Sequence, residues 1–159
     1  MEMKSWYECK VKIEVMAEGG AMKEEPKVCL VDALNFTEAE ARVIEEMTPY
    51  TSGKLDVTDI KRAKYAEMFT SDSENADKWY KVKCIFITLD EKTQTEKRTA
   101  VNMLVQAEDF HAAVANFDKG MRGSMMDYQI GLVQETSIFD VFPYVVSSSA
   151  PVVKPEYEA

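Results

Sequence analysis

The chain has 159 residues, 46% of them hydrophobic and 30% charged, and its formal net charge is −9. This composition excludes a disordered chain and disfavours a membrane-embedded one, and the length suits one domain or two small halves that share a core. The negative charge disfavours non-specific attraction to duplex nucleic acid, although a local cationic face could still bind phosphates.

The first predicted element is a strand that starts near Trp6. Apolar residues alternate with polar ones over residues 7–15, which is the period of a half-buried strand. Gly19-Gly20 predicts a turn after it. Residues 27–33 are predicted as a second strand, so that the two strands form a hairpin.

A helix is predicted next, because apolar residues recur at intervals of three and four: Phe36, Ala39, Val43, Ile44 and Met47. Its start is marked by Asn35-x-x-Glu38, which fits a capping box. Residues 51–53, Thr-Ser-Gly, predict the break that ends the helix, and residues 56–69 are predicted as the third strand.

The whole pattern occurs twice. Trp6-Tyr7 recurs as Trp79-Tyr80, and the pattern LVxAxxF of residues 30–36 recurs at residues 104–110. These blocks keep their order, which indicates duplication of a unit of about 73 residues. The second copy is predicted to have strands at residues 79–89, 98–107 and 128–142. Its helix has the inward residues Phe110, Ala113, Val114, Phe117 and Met121.

The predicted fold class is α+β. Tandem-duplicated ββαβ units are expected to form a largely antiparallel sheet, with two helices packed on one face and pseudo-two-fold symmetry. Residues 1–145 are predicted as a single domain of two repeats, 5–70 and 78–144, joined by a polar, acidic linker. Residues 146–159 are predicted as a flexible tail.

The sheet face away from the helices is the candidate binding surface. When the apolar side of each first strand faces the core, the opposite side carries a tryptophan and two lysines. Rings beside cations suit single-stranded nucleic acid, because a ring stacks on any base while the cations contact phosphates. The candidate nucleic-acid-binding residues are Trp6, Lys10, Lys12, Lys61, Arg62, Lys64, Trp79, Lys81 and Lys83.

Two other interpretations of these residues stay open. The tryptophans could pack inside the fold, with the lysines on the solvated side of ordinary strands. Alternatively, the acidic total and the glutamates of the first helix favour a protein-interaction module, an acidic inhibitor or adaptor that acts on a host protein. The open edges of the predicted sheet also allow a homodimer.

The sequence carries no signature of an active site. It has no P-loop and no GxGxxG, HExxH, CxxC or GxSxG motif. Cys9, Cys29 and Cys84 lie in apolar-periodic stretches, which is typical of buried free thiols, and His111 is predicted as an ordinary helix residue. A carboxylate metal site is a weaker alternative, because the acidic residues fall on predicted exposed faces or loops. We therefore expect a non-enzymatic protein without a cofactor or metal.

The sequence also predicts the compartment. Its first residues, MEMKSWYECK, lack the apolar core of a signal peptide, and no apolar run approaches the ~18 residues of a membrane span. We expect a cytoplasmic protein that has no membrane partner.

Two sequence blocks, FTEAEAR at residues 36–42 and WYKVK at residues 79–83, resemble an uncharacterised family of Bacteroidetes bacteria and their phages. That family is described only as a domain of unknown function, and the resemblance spans residues 5–144. It implies a cytoplasmic protein of phage or mobile-element origin, an accessory to replication or host takeover. It implies no site residue, because the family has no established active site.

Overall fold

The computed structural model describes residues 5–143, which contain two four-stranded sheets and two α-helices. The α+β class is confirmed. In chain order the elements are β1 (Ser5–Met16), β2 (Met22–Ala33), α1 (Phe36–Met47), β3 (Leu55–Ala63), β4 (Met68–Phe69), β5 (Lys78–Asp90), β6 (Thr95–Ala107), α2 (Phe110–Gly120), β7 (Asp127–Glu135) and β8 (Ile138–Phe142). Neither α1 nor α2, the α-helices of the described range, is long enough to cross a bilayer.

The sheets differ from the single sheet that the sequence predicts. Sheet 1 has the strand order β3-β1-β2-β8, and sheet 2 has the order β4-β6-β5-β7. Helix α1 packs on sheet 1, and α2 packs on sheet 2. The prediction of one sheet with both helices on one face is therefore wrong. Two complete sheets form because each third strand pairs with the first strand of its own repeat, while the short strand after it joins the other sheet.

Breaks in the predicted third strands make this exchange possible. Residues 56–69 are not one strand, since β3 ends at Ala63 and β4 begins at Met68. Between them the chain already bonds to β6, because the N–H of Ala66 donates to the carbonyl of Asn102 at 2.8 Å. In the second repeat the break is a corner at Thr136, whose N–H and hydroxyl both donate to the carbonyl of Trp79, at 3.0 and 2.8 Å.

Each sheet is built on the same plan, which supports the duplication. The hairpins β1–β2 and β5–β6 are antiparallel, and each third strand pairs antiparallel with the first. A β-bulge interrupts this pairing between Lys10 and Val11 in sheet 1, and between Lys83 and Cys84 in sheet 2. The two bulges lie at equivalent positions of the repeats. Because a bulge is a specific feature of one register, its recurrence is hard to obtain without duplication.

Both helices start at a capping side chain, Asn35 for α1, as predicted, and Asp109 for α2. The Asn35 carboxamide oxygen accepts a bond from the N–H of Glu38 at 2.8 Å, and the Asp109 carboxylate accepts one from the N–H of Ala112 at 2.8 Å. These bonds satisfy N–H groups that lack partners within the helix. The Glu38 carboxylate reaches back to the N–H of Leu34 at 2.7 Å, so the capping box closes one residue before the cap itself.

The apolar alternation of the first strand is confirmed, since the core positions of β1 are buried: Tyr7, Cys9, Val11 and Ile13. Ala39, Val43 and Met47 of α1 are also buried. Phe36 and Ile44 are more than a third exposed, because they lie at the edges of the apolar stripe. In sheet 2 the core cluster consists of Tyr80, Val82, Cys84, Met103, Val105, Ala107, Ala113, Phe117 and Met121.

The three cysteines are buried free thiols, as predicted. Cys9 and Cys29 are directly opposite each other on β1 and β2. Burial, with a further contribution from the Glu8 carboxylate, raises the pKa of Cys9 to about 12. Burial likewise raises the pKa of Cys29 to about 12.

We expect the free energy of unfolding to fall as the pH rises from about 9 towards 12. The pKa of a thiol outside the fold is 9.0, so above this pH the unfolded chain releases thiol protons that the folded chain retains. The stabilisation is complete below pH 9 and is lost progressively up to the raised pKa. Urea unfolding at a series of alkaline pH values measures the slope. A Cys9→Ala, Cys29→Ala variant should show a shallower slope, and an equal slope would contradict the prediction.

The described residues divide into two compact units, residues 5–63 with 140–143, and residues 64–139. Their bounds differ from those of the repeats because β4 follows the first repeat but belongs to sheet 2, and β8 follows the second repeat but belongs to sheet 1. The single domain over residues 1–145 stays a prediction, and so does the pseudo-two-fold symmetry. The predicted tail, residues 146–159, lies outside the described residues.

Candidate functional site

The two tryptophans predicted to stack on bases differ in accessibility. Trp79 is 3% exposed, and Trp6 is partly buried. On the same sides of their sheets, away from the helices, Leu30 and Leu104 are fully buried. The burial of Trp79 removes the exposed ring that base stacking requires, and fits the interpretation of an indole packed inside the fold.

The lysines predicted on sheet 1 share their face with carboxylates. The cross-strand neighbours are Lys10 with Asp59, Lys12 with Asp56, and Lys61 with Glu8. In the last pair the ammonium lies 3.4 Å from the carboxylate, with the lysine side chain 60% exposed. Because opposite charges alternate over this face, it does not form the cationic surface that phosphates would need.

Arg62 and Lys64 do not join that face. Arg62 lies opposite Tyr7 on the helix side of sheet 1, and its guanidinium lies 5.5 Å from the centre of the Tyr7 ring and 5.7 Å from that of Phe36. This is a cation–π arrangement at the start of α1. Lys64 follows the end of β3, outside the strand. The structure thus distributes the predicted cations of the third strand over different surfaces.

Sheet 2 presents a different surface on its side away from α2. Lys81 is half-buried opposite Leu104 and Gln134, and Lys83 is exposed opposite Asn102 and Leu132. Beyond Lys83 the β5 residues on this side are apolar, and the flanking strands add Leu132 beside the polar side chains of Glu96, Arg98, Asp127 and Gln129. We call the apolar row the aliphatic face, and it consists of Ile85, Ile87, Leu89 and Leu132.

The aliphatic face is open to solvent. Leu89 is 62% exposed and Leu132 is 44% exposed, while Ile85 and Ile87 are partly buried. Gly131, at the bulge of β7, has no side chain to keep Ile85 away, since a Cβ there would lie 2.8 Å from the Ile85 Cδ1. The bulge therefore lets Ile85 lie flat against the neighbouring strand.

The first repeat shows that this apolar character is not required by the fold. At the positions equivalent to Ile85, Ile87, Leu89 and Leu132 it has Lys12, Glu14, Met16 and Asp59. Prediction from the sequence missed this difference. The signal was present in the run CIFITL, residues 84–89, where apolar residues occupy both sides of the strand instead of alternating with polar ones.

A second feature, also missed from the sequence, connects α1 to the exchanged strand β8. Arg42 Nη1 donates to the Asp32 carbonyl at 2.8 Å, the Asp32 carboxylate at 3.1 Å and the Phe142 carbonyl at 3.2 Å. Its Nη2 donates to the Glu46 carboxylate at 3.1 Å. One guanidinium thus joins α1, β2 and β8.

The equivalent positions of the second repeat make weaker connections. Asn116, equivalent to Arg42, donates from its carboxamide to the carbonyl of Gln106 at 3.0 Å. The Gln106 side chain in turn accepts a bond from the N–H of Ser71 at 3.0 Å. Beside these groups lies an open cavity of about 520 Å³, lined by β4, the segment after it and the last turns of α2.

Among residues 5–143, no group of three or more histidine, cysteine, aspartate and glutamate side chains is placed to hold a metal ion. His111 is an exposed residue of α2.

The comparison with protein families shows which family the chain belongs to. The model of the family described as Domain of unknown function (DUF4494) matches residues 5–144, the range over which the sequence blocks predict an uncharacterised family. No curated protein matches the chain. Because the match covers most of the chain and all eight strands, this protein belongs to the DUF4494 family, a domain of unknown function.

Proposed function

We propose that the chain is a non-enzymatic protein-interaction module that binds its partner on the aliphatic face of sheet 2. The observation that carries the proposal is the contrast between the repeats. The same scaffold carries charged side chains in sheet 1 and an exposed aliphatic row in sheet 2. Apolar side chains on an open sheet gain favourable free energy when a partner removes them from water, about 25 cal/mol for each Å².

The border of the aliphatic face indicates the chemistry of the partner. Lys83 lies at one end of the face, and none of the ion pairs within residues 5–143 involves it. Arg98 lies opposite Ile87, but it already bonds to Glu96 at 3.1 Å and to Gln129 at 2.8 Å. The partner is therefore a protein segment with aliphatic side chains and a carboxylate placed to meet Lys83.

We further propose that this partner is a host protein and that the module acts as an inhibitor or adaptor in the cytoplasm. A phage or mobile-element origin, implied by the resemblance to the family, is consistent with that role. Homodimerisation through the same face is an alternative outcome of the test below.

Single-stranded nucleic acid is the competing ligand, and it has less support. Its binding would use Lys81 and Lys83 on sheet 2, where the described residues of the open face include no aromatic ring. On sheet 1 the cations alternate with carboxylates. In sheet 2 the ring of Trp79 is almost fully buried. Stacking supplies much of the sequence-independent affinity for single strands, so its loss weakens this reading.

The test is a titration of the whole chain against fluorescent probes, followed by anisotropy. One probe is a peptide of about 16 residues with leucines on one helical face and flanking glutamates. A second peptide has lysines in place of the glutamates, and the third probe is an oligothymidylate of about 20 nucleotides. We expect binding of the acidic peptide, weakened at least tenfold by Leu89→Asp.

Met16→Asp provides the matched control, since Met16 is the equivalent residue of sheet 1 and is 65% exposed. It should leave peptide binding unchanged. The proposal is overturned if the acidic peptide does not bind at about 100 μM, if the oligonucleotide binds more tightly than the peptide, or if both variants lose binding equally. Sedimentation of the chain alone shows whether it forms a homodimer. If Leu89→Asp abolishes that dimer and Met16→Asp does not, the partner on the aliphatic face is a second copy of the chain and not a host protein.

A further inference from the structure

The cavity beside α2 lies next to two residues that are smaller than their counterparts in α1. At the corresponding positions of sheet 1 stand Arg42 and Glu46, whose side chains pair with each other at 3.1 Å. The equivalent residues of α2 are Asn116 and Gly120, and both line the cavity. The cavity therefore lies where the first repeat holds an arginine side chain.

The backbone that receives the guanidinium is present in both repeats. In sheet 1 the Arg42 guanidinium bonds to the carbonyl of Phe142 at 3.2 Å and approaches that of Pro143 at 3.5 Å. The equivalent residues after the exchange are Phe69 and Thr70, and both line the cavity. A carbonyl oxygen has two lone pairs, so these groups can accept a bond from a ligand in addition to their strand bonds.

Neighbouring side chains give the cavity its charge. Asp72 contributes a carboxylate to the lining, whereas Lys119 contributes an ammonium group where the first repeat has Glu45. The carboxylates that pair with Arg42, those of Asp32 and Glu46, are replaced by Gln106 and Gly120. A cation is therefore held mainly by hydrogen bonds, which predicts weaker binding than the intramolecular contact of Arg42.

We infer that this cavity binds a guanidinium group, which takes the place that Arg42 occupies in sheet 1. The planar fork of N–H donors suits backbone carbonyls, and the lining residues Phe69 and Thr70 occupy the positions at which Phe142 and Pro143 accept bonds from Arg42 in sheet 1. The group is supplied by an arginine side chain of a protein or by a small guanidinium compound. The lining of this site includes none of the residues of the aliphatic face, so this inference does not depend on the proposed function.

The test uses N-acetyl-arginine amide and the full chain, with the amide signals of Gly120 and the Asn116 side chain followed by NMR. We expect saturable shifts at millimolar concentrations. Asn116→Arg, which restores the residue type of the first repeat, should weaken binding at least tenfold by occupying the cavity. Lys119→Glu, which restores the residue type of Glu45, should tighten it at least threefold at low salt.

N-acetyl-lysine amide is the comparator, since it carries the charge without the fork. Equal shifts with this compound, no shifts with the arginine compound at about 50 mM, or unchanged binding to Asn116→Arg would overturn the inference. Thermal unfolding checks that Asn116→Arg is folded, and Lys119→Glu tests the site at an exposed position if it is not. Tighter binding of a capped Gly-Arg-Gly peptide than of free arginine identifies a protein as the source, and the reverse identifies a small molecule.

Discussion

Phe117→Ala is expected to lower the free energy of unfolding by about 4 kcal/mol. Phe117 is fully buried at the centre of the sheet 2 core. The rings of Phe69 and Tyr128 meet it edge-on, with centroid distances of 5.8 and 5.7 Å, so that truncation removes two aromatic pairs as well as the buried area. The new void would lie next to Phe69, which already borders two cavities and cannot easily fill a third.

Urea unfolding of the variant and the parent chain measures this loss. The matched control is Val43→Ala, since Val43 occupies the equivalent position of α1 and is also fully buried. It removes fewer atoms and no aromatic contact, so its loss should be about half as large. A loss of less than about 1 kcal/mol for Phe117→Ala would show that the core of sheet 2 repacks around the missing ring.

Local signals in the sequence were sufficient to predict the hairpin and the helix of each repeat. The alternation from Tyr7 to Ile13 depends only on which side of a strand each side chain occupies. The caps Asn35 and Asp109 act on N–H groups three residues away. Because these interactions are short in sequence, the hairpins, helices and duplication could be predicted without coordinates.

The pairing of the last strands could not be predicted in this way. Strand β4 has only two residues, Met68 and Phe69, and the β6 residues that they pair with, Leu104 and Val105, lie 36 residues further along the chain. Neither the length nor the composition of so short a segment specifies a sheet. The same limit explains Trp79, which begins the same Trp-Tyr-x-x-Lys pattern as Trp6 but is more deeply buried.

The candidate sites fall between these cases. The aliphatic face could have been found by aligning the repeats, because Ile85 replaces Lys12 and Ile87 replaces Glu14 in the sequence itself. The cavity proposed to bind a guanidinium could not have been found in this way. The proposal depends on a contact between Arg42 and Phe142, which are one hundred residues apart. Sequence comparison shows that Asn116 replaces Arg42, but only the structure shows which carbonyls the arginine would have bonded.

Arg42→Met is expected to lower the free energy of unfolding by about 3 kcal/mol. The arginine side chain is 11% exposed and that of Asp32 is 18% exposed, so water cannot replace the lost bonds well. Methionine keeps a stem of similar length but leaves the Asp32 carboxylate and the Phe142 carbonyl without the guanidinium. Arg98→Met is the control, because its ion pair with Glu96 is half-exposed and should contribute less than about 1 kcal/mol.

The loss of stability in Arg42→Met should be concentrated at β8. Since Arg42 connects α1 to β8, its removal should release β8 before the rest of sheet 1. Hydrogen exchange should therefore accelerate at the amides of Val141 and Phe142 by more than it does at Cys9 or Val31 in the sheet interior. Arg42→Lys keeps the charge but not the fork, and should give an intermediate result. Uniform acceleration over all strands of sheet 1 would mean that the guanidinium stabilises the unit as a whole and does not specifically hold the exchanged strand.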